Sequence, residues 1–261
     1  MNRKERSCLW ARGLVATSGR RPTWEPTLSS KITARRSRGA EVPPVWTSVL
    51  AVIAHRDDAS FGLGAVLDAF IFAGASVEVL CLTHGQAWAL DETPGDLAAL
   101  RGAELASAAD VLDPIRVRME DCPDGTLGDV CQARLANEVV ATADSCHPDG
   151  LLVFDTPAVS GHLDHVAAAL VAQLAAQTLD LPVLGWSLSE TAATQLTREF
   201  GVSFAGHQDE QIDLRVTVDR ARQRLAGRTN AGKALPGSAQ RRRLELLAET
   251  ESLRWLRTQV M

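Results

Sequence analysis

Residues 48–58 read Ser-Val-Leu-Ala-Val-Ile-Ala-His-Arg-Asp-Asp. Ser48 to Ala54 is almost unbroken apolar sequence, the pattern of a strand covered on both faces. The chain turns polar at His55, Arg56, Asp57 and Asp58, and a helical pattern follows from Phe61 to Phe72, with Gly74 as a stop signal. Working outward, Val77 to Thr83, Ile115 to Met119, Gly150 to Phe154 and Pro182 to Leu188 read as four further strands. Helical patterns at Asp96 to Leu112, Val130 to Ala143 and about His165 to Leu179 separate them. This alternation predicts βαβ units with right-handed crossovers: an α/β, Rossmann-like doubly wound, mostly parallel sheet with helices on both faces. Val202 to Val218 predicts short antiparallel additions near the C-terminus, whereas Asp219 to Leu225 and Gln240 to Leu256 read as helical.

The chain has 261 residues, 46% hydrophobic and 23% charged, enough for one sizeable α/β core. No run of about 18 apolar residues occurs, so no membrane span is expected. Five cysteines without a C-x-x-C pair disfavour a disulfide framework or a cysteine-built zinc site, and point to a reducing, cytoplasmic setting. The net charge of −5 is unevenly spread: residues 1–40 hold ten basic and two acidic residues, and the rest is strongly acidic. Without apolar periodicity, residues 1–44 read as a basic flexible tail ahead of one domain at 45–261. A dispensable tail, a targeting segment and a nucleic-acid-binding arm are the three readings, in that order. The acidic body argues against a nucleic-acid enzyme, because phosphates are repelled from most of its surface.

Chemistry concentrates in two turns. His55-Arg56-Asp57-Asp58 follows the first strand, and Ser160-Gly161-His162-Leu163-Asp164-His165 follows the fourth. In a sheet ordered 3-2-1-4 the first and fourth strands are neighbours where the winding reverses, so both turns open onto one crevice at the carboxyl ends. Imidazole nitrogens with a carboxylate oxygen make a catalytic zinc set that leaves a fourth position for water. Capping of the following helices and a satisfied polar cluster are the structural alternatives for the same residues. Gly62-x-Gly64 matches part of a dinucleotide fingerprint, but the carboxylate-rich turn before it would repel a pyrophosphate.

The turn His55-x-Asp57-Asp58, with His162-x-Asp164-His165 about a hundred residues later, resembles the PIG-L or LmbE-like zinc-dependent de-N-acetylases. The resemblance spans about Val49 to Leu179 and extends weakly to Thr83-His84-Gly85 and Arg101-x-x-Glu104. It implies one Zn²⁺ held by His55, Asp58 and His165, with Asp57 as general base. It implies His162 as the second catalytic residue, an acid or oxyanion stabiliser, with Asp164 behind it to orient His162 or His165. The implied substrate is a small N-acetylated, GlcNAc-like sugar conjugate. Arg101 matches a family arginine that contacts the sugar portion, and Trp88 is placed to stack on a sugar face.

Three positions depart from the family pattern. Arg56 and Ala59 stand where members usually carry Pro and Glu, and Ser160 stands where some relatives have tyrosine. The C-terminal His-x-Ser-Gln segment is not evident. Arg56 lacks the stiffening of proline and offers charge to an anionic substrate. These departures leave two alternatives: an amidase for a larger acyl group, of the thiol-conjugate type, and a catalytically impaired metal-binding module.

Overall fold

A computed structural model describes residues 42–83, 115–156, 159, 161–220 and 239–256. They build a seven-stranded sheet: β1 (Ser48–Ile53), β2 (Ser76–Thr83), β3 (Ile115–Cys122), β4 (Gly150–Phe154), β5 (Val183–Ser187), β6 (Leu214–Thr217) and β7 (Thr250–Leu256). The spatial order is β3-β2-β1-β4-β5-β7-β6. β3 to β5 across this row are joined in parallel, and β7 pairs antiparallel with both β5 and β6. The sheet is thus doubly wound, with the antiparallel additions that the C-terminal sequence predicts.

Helices α1 (Gly64–Phe72), α2 (Gln132–Cys146), α3 (Leu163–Leu179), α4 (Glu190–Phe200) and α5 (Ala239–Leu247) flank the strands. Side chains alternate across a strand, so β1 feeds both faces at once. Val49, Ala51 and Ile53 join α1 and α4 residues in one core cluster, and Leu50, Val52 and Ala54 join α2 and α3 residues in the other. This two-sided burial is why Ser48 to Ala54 carries no polar alternation. At the entry to β1, Trp46 stacks on Phe70 at 5.5 Å, one residue after the fully exposed Val45. Asp149 pins this entry, accepting from the Thr47 amide (2.5 Å) and hydroxyl (2.8 Å) and from the Ser48 amide (3.2 Å).

Two expectations change. The helical reading of Gln240 to Leu256 breaks at Ala248, which sits at φ 48°, and residues 250–256 form β7 instead. Packing decides this segment, because β7 fills the slot between β5 and β6. The pattern from Phe61 to Phe72 likewise divides into a one-turn π-helix, Asp58–Gly62, and then α1. The helix expected at Asp96 to Leu112 and most of that at Asp219 to Leu225 lie outside the described residues, as does the tail. No helix among the described residues is long and apolar enough to cross a membrane.

Candidate metal centre and active site

The first turn is shaped by its own hydrogen bonds. The Asp58 carboxylate accepts from the His55 amide at 2.9 Å, and the Leu63 amide closes onto the Asp58 carbonyl at 2.7 Å. That wide turn keeps Asp58 buried while the adjacent Asp57 stays exposed. Gly62 makes the turn possible, since a Cβ there would lie 2.4 Å from the Phe154 ring. Gly62 therefore serves close packing against Phe154 of β4.

The second turn opens α3. His162 is its N-cap, and the Nδ1 atom accepts from the Asp164 amide at 3.2 Å. The capping alternative thus holds for His162, and its free proton sits on Nε2. His165, one turn on, lies 5.1 Å from His162 between ring centroids and stacks flat on Phe154 at 4.4 Å.

β1 and β4 are parallel neighbours, so the two turns meet. His165 Nε2 lies 3.0 Å from Asp58 Oδ1, His55 Nδ1 lies 3.3 Å from His165 Nε2, and His55 Nδ1 lies 3.8 Å from Asp58 Oδ2. Ligands about 2.0–2.2 Å from a tetrahedral zinc lie roughly 3.3–3.6 Å apart, so this triangle fits that ion with small adjustment. The donor chemistry, two imidazoles and a carboxylate within 4.8 Å of one another, fits as well.

Electrostatics at the turns are strongly coupled. Burial alone would raise the Asp58 pKa, but His165 and His55 outweigh it and hold the carboxyl below its usual range. Burial would lower His165, yet the charge and hydrogen bond of Asp58 raise it. Asp57 keeps an exposed face, but the protein packed around its carboxyl raises its pKa and the charge of Asp58 beside it adds to the effect. His162 is lowered by burial, with His165 and His55 adding to the effect and Asp164 and Asp58 opposing it.

All six residues expected at the centre are brought together, but Asp164 has a different partner. Its Oδ2 faces Nε2 of His55 at 3.2 Å, not the imidazole nitrogens of His162 or His165. Fully buried, it also accepts from the amides of Leu127 (2.9 Å) and Gly125 (2.7 Å). Arg56 lies in the turn but is buried, 6% exposed as a whole residue, away from the open surface where a substrate charge would be met. Trp88 and Arg101 lie outside the described residues.

Two contributors were not anticipated. Asp124, in the loop after β3, places Oδ1 3.0 Å from His55 Nε2. Its signal is an Asp-Gly pair just beyond the carboxyl end of β3, two strands away from β1. Arg243 of α5 is buried, donates to the Phe61 carbonyl in the π-turn and lies 4.7 Å over the Trp186 ring. No local motif marks it, because it arrives from 182 residues away.

Residues 50–176 match the family model described as PIG-L: GlcNAc-PI de-N-acetylase. A probable N-acetylglucosaminyl-phosphatidylinositol de-N-acetylase of Schizosaccharomyces pombe is 28% identical over 144 residues, 52% of this chain and 54% of the relative. The chain therefore spans about half the length of the curated relative it matches. Among solved structures, a deacetylase of the teicoplanin biosynthesis pathway superposes with a TM-score of 0.63 at 19% identity, covering 82% of this chain and all of the other. The 4-carboxy-2-hydroxymuconate hydratase of Pseudomonas putida superposes with 0.61 at 16% identity, covering 82% of this chain and 98% of its own. Likeness at that identity establishes the fold alone, and the fold hosts more than one chemistry. The matched span runs from β1 through most of α3 and holds both histidine–carboxylate turns, so it is over this part that the chain is similar to the PIG-L de-N-acetylases.

Proposed function

We propose that the protein is a zinc-dependent hydrolase that removes an N-acetyl group from a small GlcNAc-like sugar conjugate. One observation carries the reading: His55, Asp58 and His165 converge as a three-donor set at the switch point, with Asp57 beside them and open to solvent. Zinc held there supplies an acidified water and a polarised amide carbonyl. Asp57 takes the proton of the attacking water, and the upward shift of its pKa makes it the better proton acceptor. His162, with Nδ1 occupied by the Asp164 amide, offers Nε2–H to the oxyanion of the tetrahedral adduct as a neutral donor. Because a neutral His162 has no spare proton, Asp57 returns the captured proton to the leaving amine. The sugar half of the reading is supported by the name of the fission-yeast relative. Arg101 and Trp88 remain the proposed sugar contacts, and a cytoplasmic location remains a proposal.

The test is metal analysis of the purified protein, followed by acetate release from a panel of N-acetyl sugars. The expected result is about one zinc per chain and acetate released with a free amine on the sugar. Preferred release of a longer acid would move the protein to the amidase alternative. Zinc uptake with no turnover of any N-acyl conjugate would reduce it to a metal-binding module.

A further inference from the structure

We infer that Asp124 is a positioning residue that fixes His55 as the Nε2–H tautomer, so that Nδ1 is the atom His55 presents to the metal. The inference rests on the zinc reading for its consequence, but not for its geometry. His55 has two ring nitrogens in different company. Nδ1 faces His165 Nε2 and Asp58, the open donor triangle. Nε2 faces two carboxylates, Asp124 Oδ1 at 3.0 Å and Asp164 Oδ2 at 3.2 Å. An anionic carboxylate only accepts hydrogen bonds, so the nitrogen between two of them must be the one that carries hydrogen. The lone pair of a neutral His55 then resides on Nδ1.

The loop after β3 is built to deliver Asp124 there. Gly125 sits at φ 79°, a left-handed conformation that a Cβ strains. The turn it permits lets the Gly125 and Leu127 amides donate to the two oxygens of Asp164. Asp164 is thereby the anchor of the loop, and the loop sets Asp124 on the imidazole. Asp124 is 2% exposed at its side chain, so little water competes for the contact. The same arrangement answers a second geometric possibility. His55, His162 and Asp164 also lie within 4.8 Å of one another, but a cation among them would need the Nε2 lone pair that the N–H bond already uses. The carboxylates here act on a ligand and not on a second ion. Outer carboxylates of this kind typically change metal affinity by about 10- to 100-fold when removed.

The test combines a tautomer measurement with an affinity measurement. Long-range ¹⁵N–¹H spectra of ¹⁵N-histidine-labelled, metal-free protein are recorded at mildly alkaline pH, where imidazoles are neutral, with a His55→Asn variant to assign the signal. Zinc affinity is read by competition with a chelator. Wild type should show His55 as a single Nε2–H tautomer. Asp124→Ala leaves only the longer 3.2 Å contact to Asp164, so the minor tautomer should become detectable and zinc should weaken about 10- to 100-fold. Asp124→Asn keeps an oxygen that accepts from Nε2–H, so tautomer and most of the affinity should return. Gly125→Ala should resemble Asp124→Ala, because the loop no longer places the carboxylate. An Nδ1–H tautomer in wild type overturns the inference without recourse to any variant, as does Asp124→Ala with unchanged tautomer and affinity. Wild type that takes up no zinc refutes the metal reading instead, and the tautomer still decides the assignment of Asp124.

Discussion

The Phe154 ring lies flat against the imidazole of His165, with centroids 4.4 Å apart and planes within 10°. The last residue of β4 thus backs a proposed ligand, and the same ring fills the space left by the missing side chain of Gly62. Gly62→Ala should push Phe154 toward His165. The expected cost is about 1–3 kcal/mol of stability, the scale of overpacking in a dense core. Zinc should also be retained less well after dialysis. Thermal unfolding and metal content measure both, and a variant with wild-type values in each would show that the contact is slack.

Asp57 and Asp58 are sequence neighbours with opposite environments, and the prediction separates them. Asp58→Ala and His165→Ala should each lose zinc. Asp57→Asn should keep the metal while kcat falls by at least ~10², the usual scale for loss of a general base. Near-normal turnover in Asp57→Asn would remove it from the mechanism.

His162 sets the pH behaviour. Burial, His165 and His55 lower its pKa below the ordinary histidine value of 6.5. Between the lowered value and 6.5 the unfolded chain binds the proton and the folded one does not. This residue's contribution to stability is therefore intact above 6.5 and declines as the pH falls through that value. NMR titration should place its midpoint below 6.5, and the rate should show no basic limb from His162. His162→Ala should reduce kcat with zinc still bound. A midpoint above the ordinary value would restore His162 as a cationic acid.

The N-terminal boundary can be tested by deletion. Trp46 packs on Phe70 and Asp149 holds Thr47, whereas Val45 is fully exposed. Removing residues 1–40 should leave the melting temperature and the rate unchanged, and a large drop in either would place part of the tail in the fold.

Ala248 ends α5 at φ 48°, where a Cβ is strained, and its carbonyl receives the Arg220 guanidinium. Ala248→Gly should relieve this strain and stabilise the protein by about 0.5–1 kcal/mol, net of the extra freedom glycine gives the unfolded chain. Denaturant unfolding reads the change, and a destabilised variant would show that the strain is absent.

Local sequence by itself determined the layered α/β sheet, the neighbouring places of β1 and β4, and the meeting of His55, Asp57 and Asp58 with His162 and His165. The reason is that short apolar runs alternating with helical patterns read as strands covered on both faces, and doubly wound sheets bring the turns after such strands together at their carboxyl ends. Tertiary structure alone decided the rest. Residues 250–256 became a strand because β5 and β6 leave a slot that only an extended segment fills. Asp164 turned to His55, and Asp124 joined it, because a loop from β3 crosses beneath the start of α3. Arg243 came to rest under the π-turn from the far end of the chain. Contacts of this kind depend on which surfaces meet after the sheet has formed, and no periodicity or short motif encodes that meeting in advance.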